Sequence, residues 1–304
     1  HVVDISYGRK TDGLPNNVQL PRLGFLEIAS ARAEELGCNI MMATTASDIQ
    51  QDDSGVTVEL SDGSSHRYDL VIGFDGINSQ IREYLFGKGY MPERSGGVAW
   101  RAAVPAPDTL QGALFCHGFG GKVGFVPLVG GMMYVIVTHS EPGRPRHDPD
   151  AFAEIMHARA REMMGDSDFM ADAIESLRTA TNVAYTPLDT VMVPYPWFRG
   201  RVMIMGDAAH ATTPYLGSGA AMAIEDGVVF AELLRGDDTL YDVQTKFMAR
   251  RYPRVKTVWD WSLKMMHEEF DSETPEAYEQ RLDYLVNEEP AAIDYINRVL
   301  ESDY

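Results

Sequence analysis

The chain has 304 residues, of which 45% are hydrophobic and 23% are charged, and its formal net charge is −19. This length and composition are typical of one large or two medium globular domains and exclude a disordered or fibrous chain. The negative charge argues against nucleic acid or an anionic membrane surface as the partner, because both are polyanions.

The cysteine content predicts neither a disulfide framework nor a metal site. Cys38 and Cys116 stand alone, without a CxxC motif or a Cys/His cluster, and this favours a reducing compartment. No apolar run approaches the roughly 18 residues of a membrane span. The first residues show no signal-peptide pattern. We therefore expect a cytoplasmic protein with no membrane partner.

The first quarter of the chain predicts a helix followed by short strands. Small and apolar residues recur every three or four positions over Arg22 to Gly37, and the glycine suits the end of a helix. Asp62-Gly63 predicts a hairpin turn. Leu70 to Phe74 is an apolar run typical of a strand in a parallel sheet. The other strands predicted here are Asn39 to Met42, Ala46 to Gln50, Val56 to Leu60 and His66 to Asp69.

The pattern then changes to longer strands separated by Gly and Pro, which predicts an antiparallel sheet followed by two helices. A second buried strand, Arg201 to Met205, leads into a Gly/Ala-rich helix from about Ser218 to Arg235. A long helix from Asp242 to about Phe270 and two shorter acidic helices follow. The sheet strands are Gly97 to Val104, Ala113 to Gly118, Lys122 to Pro127 and Met132 to Thr138, and the two helices are Asp150 to Met164 and Phe169 to Arg178.

This order predicts an α/β fold, α+β overall, in which an antiparallel β-sheet domain is inserted into a discontinuous Rossmann-like domain. We assign residues 1–90 to the first part of the discontinuous domain, 91–190 to the inserted sheet and 191–264 to the second part. Residues 265–304 form an acidic helical C-terminal extension.

The extension carries apolar stripes that require a partner surface. From His267 to Tyr304 there are twelve acidic residues against two arginines. We expect the stripes to pack on the chain's own α/β half or on a second subunit, so a homodimer is one possibility. The stripes consist of Tyr278, Leu282 and Leu285, then Ile293, Ile296 and Leu300.

The segment RVMIMGDAAHATTPYLGSGAAMAIEDGVVFAELL, from Arg201 to Leu234, is the most informative. Its buried strand ends at Gly206-Asp207, and α/β sheets bind ligands at the carboxyl ends of their strands. Leu216 to Ala220 forms a loop without bulky side chains before a helix, whose N-terminus can face an anion. A cap or a tight turn explains each residue alone. Together they indicate a cofactor site.

GDAAHATTPYLGSGAAMAIEDGVVFAELL resembles the second FAD-binding motif of the flavoprotein aromatic hydroxylases, the p-hydroxybenzoate and salicylate hydroxylase family. The resemblance implies that FAD is the cofactor. A helix N-terminus at the flavin would stabilise the negative charge of its reduced form. The implied contacts are Gly206 and Asp207 at the ribityl chain, Pro214 beside the isoalloxazine, and Gly217, Ser218, Gly219 and Ala220 at the pyrimidine edge.

A second segment, YDLVIGFDGINSQIR from Tyr68 to Arg82, resembles the DG signature of the same family. The resemblance places Asp75 and Gly76 on the pyrophosphate side of FAD and links them to NAD(P)H use; an N-capping aspartate is the local alternative. Two weaker resemblances place Arg22 near the cofactor and the backbone of Ala46 at the adenine. A surface helix start explains Arg22 equally well.

By the same resemblance, the middle sheet holds the substrate. Plain sheet packing also explains each of its candidate residues, and alternation along a strand does not reveal which face is which. For His210 we favour a hydrogen bond that holds the turn over a role as general base. We assign no catalytic side chain, because the motif residues are those that hold flavin and none is an obvious acid or base. The substrate candidates are Trp100, His117, Phe125, Pro127, Tyr134 and Tyr215, the last of which caps the loop in the alternative interpretation.

The sequence lacks the N-terminal GxGxxG unit with which the family begins. The nearest match, Gly118 to Gly124, has the wrong spacing. We therefore expect a missing first βαβ unit, whose strand the strands ending at Asp75 and Asp207 would normally flank. A gap, an open groove or another segment would then lie between them, and FAD would bind weakly.

The resemblance implies hydroxylation of an aromatic, phenolic small molecule. NAD(P)H reduces FAD, O2 adds to give a flavin hydroperoxide, and the distal oxygen attacks the ring, so the cofactor carries the difficult chemistry. One alternative is a flavin-dependent halogenase, although its WxWxIP signature is missing. The others are a reductase of related fold and a non-catalytic degenerate flavoprotein fragment.

Overall fold

A computed structural model of the chain describes residues 22–143 and 145–302. The helices are α1 Arg22–Glu35, α2 Gln80–Phe86, α3 Phe152–Met164, α4 Ala171–Ser176, α5 Asp207–His210, α6 Gly219–Leu233, α7 Leu240–Phe270, α8 Pro275–Asn287 and α9 Glu289–Glu301. The strands are β1 Ala46–Asp52, β2 Gly55–Leu60, β3 Ser65–Tyr68, β4 Val71–Gly73, β5 Gly97–Pro105, β6 Leu114–Gly118, β7 Gly121–Leu128, β8 Met132–Ser140, β9 Ala184–Pro187, β10 Phe198–Arg199 and β11 Val202–Ile204.

The strands form three sheets in the part of the chain that is described. One is an antiparallel sheet in the order β1-β2-β3, the second has the order β10-β11-β4, and the third is five-stranded in the order β6-β7-β8-β5-β9. The five-stranded sheet is antiparallel throughout. It lies in sequence between β4 and β11, which pair with each other. This is the predicted insertion of an antiparallel sheet into a discontinuous α/β fold.

Strands β4 and β11 are parallel, with Val202 opposite Val71 and Ile204 opposite Gly73. Both strands therefore end at the same edge of the sheet, one before Asp75 and the other before Asp207. The prediction that these two aspartates follow neighbouring parallel strands is confirmed. This edge is where α/β sheets bind their ligands.

The expectation that a gap, an open groove or another segment lies between β4 and β11 is wrong. The Val71 N–H donates to the Arg201 carbonyl at 2.9 Å, and the Met205 N–H donates to the Gly73 carbonyl at 3.0 Å. No gap remains between two strands that hydrogen bond directly. Among the described residues β4 pairs on one side only, and Val71 and Ile72 on it are half-buried.

One predicted strand does not form, and two strands were not predicted. Asn39 to Met41 have no regular structure and lead into a turn at Met42, with Ala43 at a φ of +55° and Met42 82% exposed. Strand β9 pairs with β5 at the edge of the large sheet, and β10 has two residues. Such short edge strands carry too few residues for a pattern of alternation to be visible.

Two large apolar cores and a smaller cluster, in which Met266 and Phe270 of α7 meet Ala99 and Leu188, organise the described residues. The first surrounds β11, α6 and α7 and includes Trp197, Phe230 and Phe247. The second lies between one face of the five-stranded sheet and helices α3 and α4, and it includes Trp100 and Phe125. The two cores correspond to the α/β half and to the inserted sheet.

The second stripe of the C-terminal extension packs on the chain's own α/β half, which is one of the two outcomes expected, whereas Tyr278 of the first stripe meets the inserted sheet, where its hydroxyl donates to the His117 carbonyl at 2.9 Å. Ile293 and Ile296 are 3% and 0% exposed and belong to the first core. Arg254 of α7 donates to the carbonyls of Val299 and Leu300 at the end of α9, to the latter at 2.8 Å. Within residues 22–143 and 145–302, no helix is long and apolar enough to cross a bilayer.

A pair of glycine substitutions tests the packing of β4 against α2. A Cβ added at Gly73 would lie 2.6 Å from the Ile81 Cβ, whereas one added at Gly227 inside α6 meets nothing within 4 Å. We expect Gly73→Ala to lower the free energy of unfolding by about 1 to 3 kcal/mol because the core is overpacked. Gly227→Ala is expected to raise it by roughly 0.5 to 1 kcal/mol. Urea denaturation measures both, and equal effects of the two substitutions would contradict the pairing of β4 with α2.

Candidate functional site

The carboxylate of Asp226 is the centre of a buried network behind the edge where β4 and β11 end. Asp226 is 0% exposed. Its Oδ2 accepts the Gly206 N–H at 3.0 Å and lies 2.7 Å from Nε2 of His210, while its Oδ1 accepts from Nε of Arg251 at 2.8 Å. His210 thus holds the turn after β11, as predicted.

Charge neutralisation lets this network be buried. Arg251 also donates to Glu225 at 2.6 Å, and Arg254 donates to both oxygens of Glu225 at 2.8 Å. Two arginines of α7 therefore face two acids of α6. Burial by itself would raise the pKa of Asp226, but the hydrogen bond from His210 and the charge of Arg251 outweigh it and hold that pKa below its usual value.

Gly206 makes the sharp turn from β11 into α5 at a φ of +56°, a region that favours glycine. A Cβ there would lie 3.1 Å from Ala223 and 3.2 Å from the Phe74 ring. The next residue, Asp207, is exposed and makes no hydrogen bond or ion pair with the residues that the structure describes. Its carboxylate is therefore available to accept hydrogen bonds from a ligand.

The segment from Pro214 to Ala220 is an open loop at the start of α6. Gly217 has a φ of +59°, and nothing lies within 4 Å of where its Cβ would be. The Ser218 hydroxyl donates back to the Leu216 carbonyl at 2.9 Å and leaves the helix without a side-chain cap. The first turn of α6 contains no acidic residue. Its N–H groups are therefore free to face an anionic group.

Asp75 caps helix α2, which is the alternative interpretation of this residue to a place on the pyrophosphate side of FAD. Its Oδ1 accepts from the Ser79 hydroxyl at 2.6 Å, and its Oδ2 accepts the Gln80 and Ile81 N–H groups at 2.8 and 3.1 Å. Gly76 has a φ of +76°, and no atom lies within 4 Å of a Cβ built there. Of Asp75 and Gly76, the carboxylate of Asp75 is already hydrogen-bonded, and the backbone of Gly76 is the part that borders open space.

Arg82 connects the two ends of the parallel strands and was missed from the sequence. It is 2% exposed and donates to the Ala208 carbonyl at 2.9 Å and to the Ile77 carbonyl at 2.6 Å. Burial lowers the pKa of Arg82, and the charge of Asp75 opposes that effect. Its position at the end of the DG segment gave it the appearance of an ordinary surface arginine.

The two weakly predicted cofactor residues lie outside this network. Arg22 begins α1, is exposed, and makes no hydrogen bond or ion pair with another described residue. Ala46 begins β1, is half-buried and pairs with Leu60. Their assignment to FAD stays a prediction.

The six candidate substrate residues divide between the two faces of the large sheet. Cross-strand partners share a face, and Trp100, Phe125 and Pro127 align with Val137, Val135 and Met133. That face packs on α3 and α4, and Trp100 and Phe125 are both 0% exposed there. Their burial assigns them to packing.

The opposite face carries His117, Tyr134 and Tyr215. His117 aligns with Lys122, and Tyr134 aligns with Val126 on the same side of the sheet. Tyr215 reaches this side from the loop, with the Lys122 Nζ 3.7 Å from its ring centre. Burial lowers the pKa of His117 to about 4, with Lys122 and Arg281 acting in the same direction and Glu269 against it.

Arg101 also belongs to this face and was not among the candidates. It aligns with Ile136, next to Tyr134 along β8. Burial raises the pKa of Tyr134, and the positive charge of Arg101 opposes that effect. Burial in β5 alternates only from Trp100 to Val104, where Arg101 and Ala103 are half-buried between buried core residues, so the register of this stretch would have selected Arg101 once the face was known.

These features fit FAD. The backbone at Gly217 borders open space, the helix behind it offers uncapped N–H groups, and Asp207 supplies a free acceptor. A parallel strand pair with such an edge, interrupted by an antiparallel sheet, defines a dinucleotide-binding α/β protein with an inserted domain.

Comparison with known proteins narrows this class. The model of the FAD binding domain family matches residues 13–262. YetM of Bacillus subtilis, named as an FAD-dependent monooxygenase, is 30% identical over 264 residues, which cover 86% of this chain and 70% of YetM. The 2-heptyl-3-hydroxy-4(1H)-quinolone synthase of Pseudomonas aeruginosa is 36% identical over 180 residues, which cover 58% of this chain and 46% of the synthase.

The fold is shared with solved structures. HpxO of Klebsiella pneumoniae, crystallised with FAD and uric acid, superimposes with a TM-score of 0.78 at 24% identity, over 90% of this chain and 71% of HpxO. The chain thus belongs to the FAD-dependent aromatic hydroxylase family, whose FAD-binding domain it contains. It spans about half the length of the quinolone synthase and 70% of YetM.

Removing the charge of Asp226 tests the network. We expect Asp226→Asn to lower the free energy of unfolding at pH 7 by about 3 to 5 kcal/mol, because Arg251 is left buried without its partner. Since the pKa of Asp226 is depressed in the folded protein, its stabilisation is present above its usual pKa and is lost as the pH falls through the folded value.

Urea unfolding between pH 7 and pH 2 measures this difference. The gap in the free energy of unfolding between wild type and Asp226→Asn should narrow as the pH falls below about 4, the usual pKa of an aspartate. Asp260→Asn, which breaks an exposed ion pair with Lys256, is the control and should cost little. A gap that stays constant with pH would show that the charge of Asp226 is unimportant.

Proposed function

We propose that this protein hydroxylates an electron-rich aromatic small molecule with FAD, NAD(P)H and O2. The observation that carries the proposal is the open loop from Gly217 to Ala220 at the N-terminus of α6, beside the unpaired carboxylate of Asp207. A flavin needs a donor-rich edge at its pyrimidine ring and an acceptor for its ribityl hydroxyls, and this edge supplies both.

We assign the following roles to the chain's own residues. Asp207 accepts hydrogen bonds from the ribityl chain, and the backbone of Gly217, Ser218, Gly219 and Ala220 faces the pyrimidine edge. When bound, FAD supplies the electron transfer from NAD(P)H and the activation of O2. The Gly206 turn, held by Asp226, orients Asp207. Pro214, Gly76, Arg22 and Ala46 are proposed as further contacts with the cofactor.

The substrate is proposed to bind between the flavin edge and the sheet face that carries Arg101, Tyr134 and Phe115. Phe115 is 50% exposed, and its ring lies over Gly124, where an added Cβ would come within 2.7 Å of it. A half-exposed ring on a sheet suits stacking with a planar ligand. The relatives named for a quinolone and for uric acid have planar ring systems as products or ligands.

We infer a cytoplasmic location, supported by two unpaired cysteines, Cys38 and Cys116. A small aromatic substrate and O2 are the proposed partners, with a homodimer as a further possibility. Nucleic acid and membrane surfaces are not proposed as partners because of the net charge of −19.

The direct experiment is to purify the full chain, add FAD and record its visible absorption spectrum. NAD(P)H oxidation is then followed with phenolic acids, hydroxyquinolones and purines in turn. Faster oxidation with one ligand class, together with a product one oxygen atom heavier by mass spectrometry, is the expected result. Bound FAD with no ligand that stimulates oxidation would favour a reductase, and no flavin binding would contradict the proposal.

Two substitutions separate cofactor binding from stability. Asp207→Ala removes an exposed carboxylate and should leave the melting temperature nearly unchanged while weakening FAD binding by roughly 10- to 100-fold, the value of a hydrogen bond to a charged group. Gly219→Val adds a side chain whose Cβ meets the protein only at ordinary contact distance, 3.5 Å from Thr212. It should abolish FAD retention by occupying the space of the ring.

Fluorescence titration with FAD measures both variants, and thermal unfolding without FAD provides the reference. Ala221→Val, at an exposed site one turn into α6, controls for the helix propensity of valine. If Gly219→Val binds FAD as well as Ala221→Val does, the loop is not the flavin site.

A further inference from the structure

A buried polar cluster lies where three parts of the fold meet: the loop from Pro214 to Ala220, called here the flavin loop, the five-stranded sheet and the end of α7. The roles assigned above do not use this cluster. Its centre is Glu269 in the last turn of α7, 1% exposed. Oε1 of Glu269 accepts from the Tyr215 hydroxyl at 2.5 Å and from the Thr138 hydroxyl at 2.7 Å. Oε2 lies 2.9 Å from the Lys122 Nζ.

Each partner of Glu269 comes from a different part of the fold. Tyr215 belongs to the flavin loop, Thr138 to β8 and Lys122 to β7. The Lys122 ammonium also lies over the Tyr215 ring, 3.7 Å from its centre, which is a favourable cation–π geometry. The phenol of Tyr215 is therefore fixed at its hydroxyl by Glu269 and at its face by Lys122.

The cluster is a poor device for stability alone. A buried ion pair is often no more stabilising than apolar residues of the same size. Here the nearby His117 Nδ1, 3.8 Å from the Glu269 Oε2, also lacks a hydrogen-bond partner among the described residues. A buried polar atom without a partner costs free energy, so the arrangement indicates a requirement for position.

We propose that Glu269 and Tyr215 are positioning residues that fix the flavin loop against the sheet. Tyr215 directly follows Pro214 and precedes Gly217, so holding its phenol sets the path of the backbone that the proposed function assigns to the flavin edge. The inference rests on that proposed function. It adds that α7 and the inserted sheet determine where the loop lies.

The test compares Tyr215→Phe with Tyr185→Phe in the full chain. Tyr185 is the matched control because its hydroxyl donates to Glu141 at 2.7 Å, on strand β9 of the same sheet and away from the loop. Each substitution removes one hydroxyl that donates to a carboxylate. Only the first touches the loop.

Hydrogen–deuterium exchange of the flavin-free protein is the first readout. We expect the amides of residues 214–220 to exchange at least about fivefold faster in Tyr215→Phe, as the loss of one buried hydrogen bond allows, and at the wild-type rate in Tyr185→Phe. Glu269→Gln keeps an acceptor for the phenol and should retain most of the protection, whereas Glu269→Leu should lose it. Unchanged exchange in Tyr215→Phe would overturn the proposal.

FAD titration is the second readout and separates this inference from the proposed function. We expect Tyr215→Phe to weaken FAD binding about tenfold and to change the visible circular dichroism of the bound flavin, and Tyr185→Phe to do neither. Faster exchange with unaltered FAD binding would overturn the role at the flavin. A wild-type chain that binds no FAD would contradict the proposed function, while the exchange result would still decide whether Glu269 holds the loop.

Discussion

The arrangement of the site depends on one buried carboxylate. Asp226 accepts from the Gly206 N–H, from His210 and from Arg251, so a single group fixes the turn after β11, the short helix α5 and the pairing of α6 with α7. A carboxylate can be buried here because arginine supplies the opposite charge and three donors surround its oxygens. The free orientation of Asp207 at the surface is a consequence of this fixed turn.

A second constraint acts through the inserted sheet, on the other side of the loop that the cofactor is proposed to touch. The inserted sheet presents one face to α3 and α4 and the other to the loop after β11. Because side chains alternate between the two faces of a strand, the register of each strand decides which residues meet the loop. Glu269 and Tyr215 join that second face to α7. The α/β half and the inserted sheet are therefore connected through side chains of the loop that the cofactor is proposed to touch.

The parts of the site that could be predicted are local in sequence. Gly206, Asp207 and the loop from Gly217 to Ala220 lie within one segment, where a buried strand, a sharp turn and a helix start follow one another. Backbone conformation and helix N–H groups are properties of such a segment, and its residue pattern is dense enough to identify the family. The longer strands separated by Gly and Pro likewise predicted the sheet.

The sequence by itself therefore determined the family, the cofactor and the segment that is proposed to face it, because these depend on short-range backbone geometry. Only the tertiary structure decided that β4 pairs directly with β11, that Asp75 caps a helix, and that Trp100 and Phe125 lie on the packing face of the sheet. It also brought Arg251 and Glu269 to partners 25 and 54 residues away. The strength of such contacts depends on distance and burial in three dimensions, and neither quantity is encoded in local spacing.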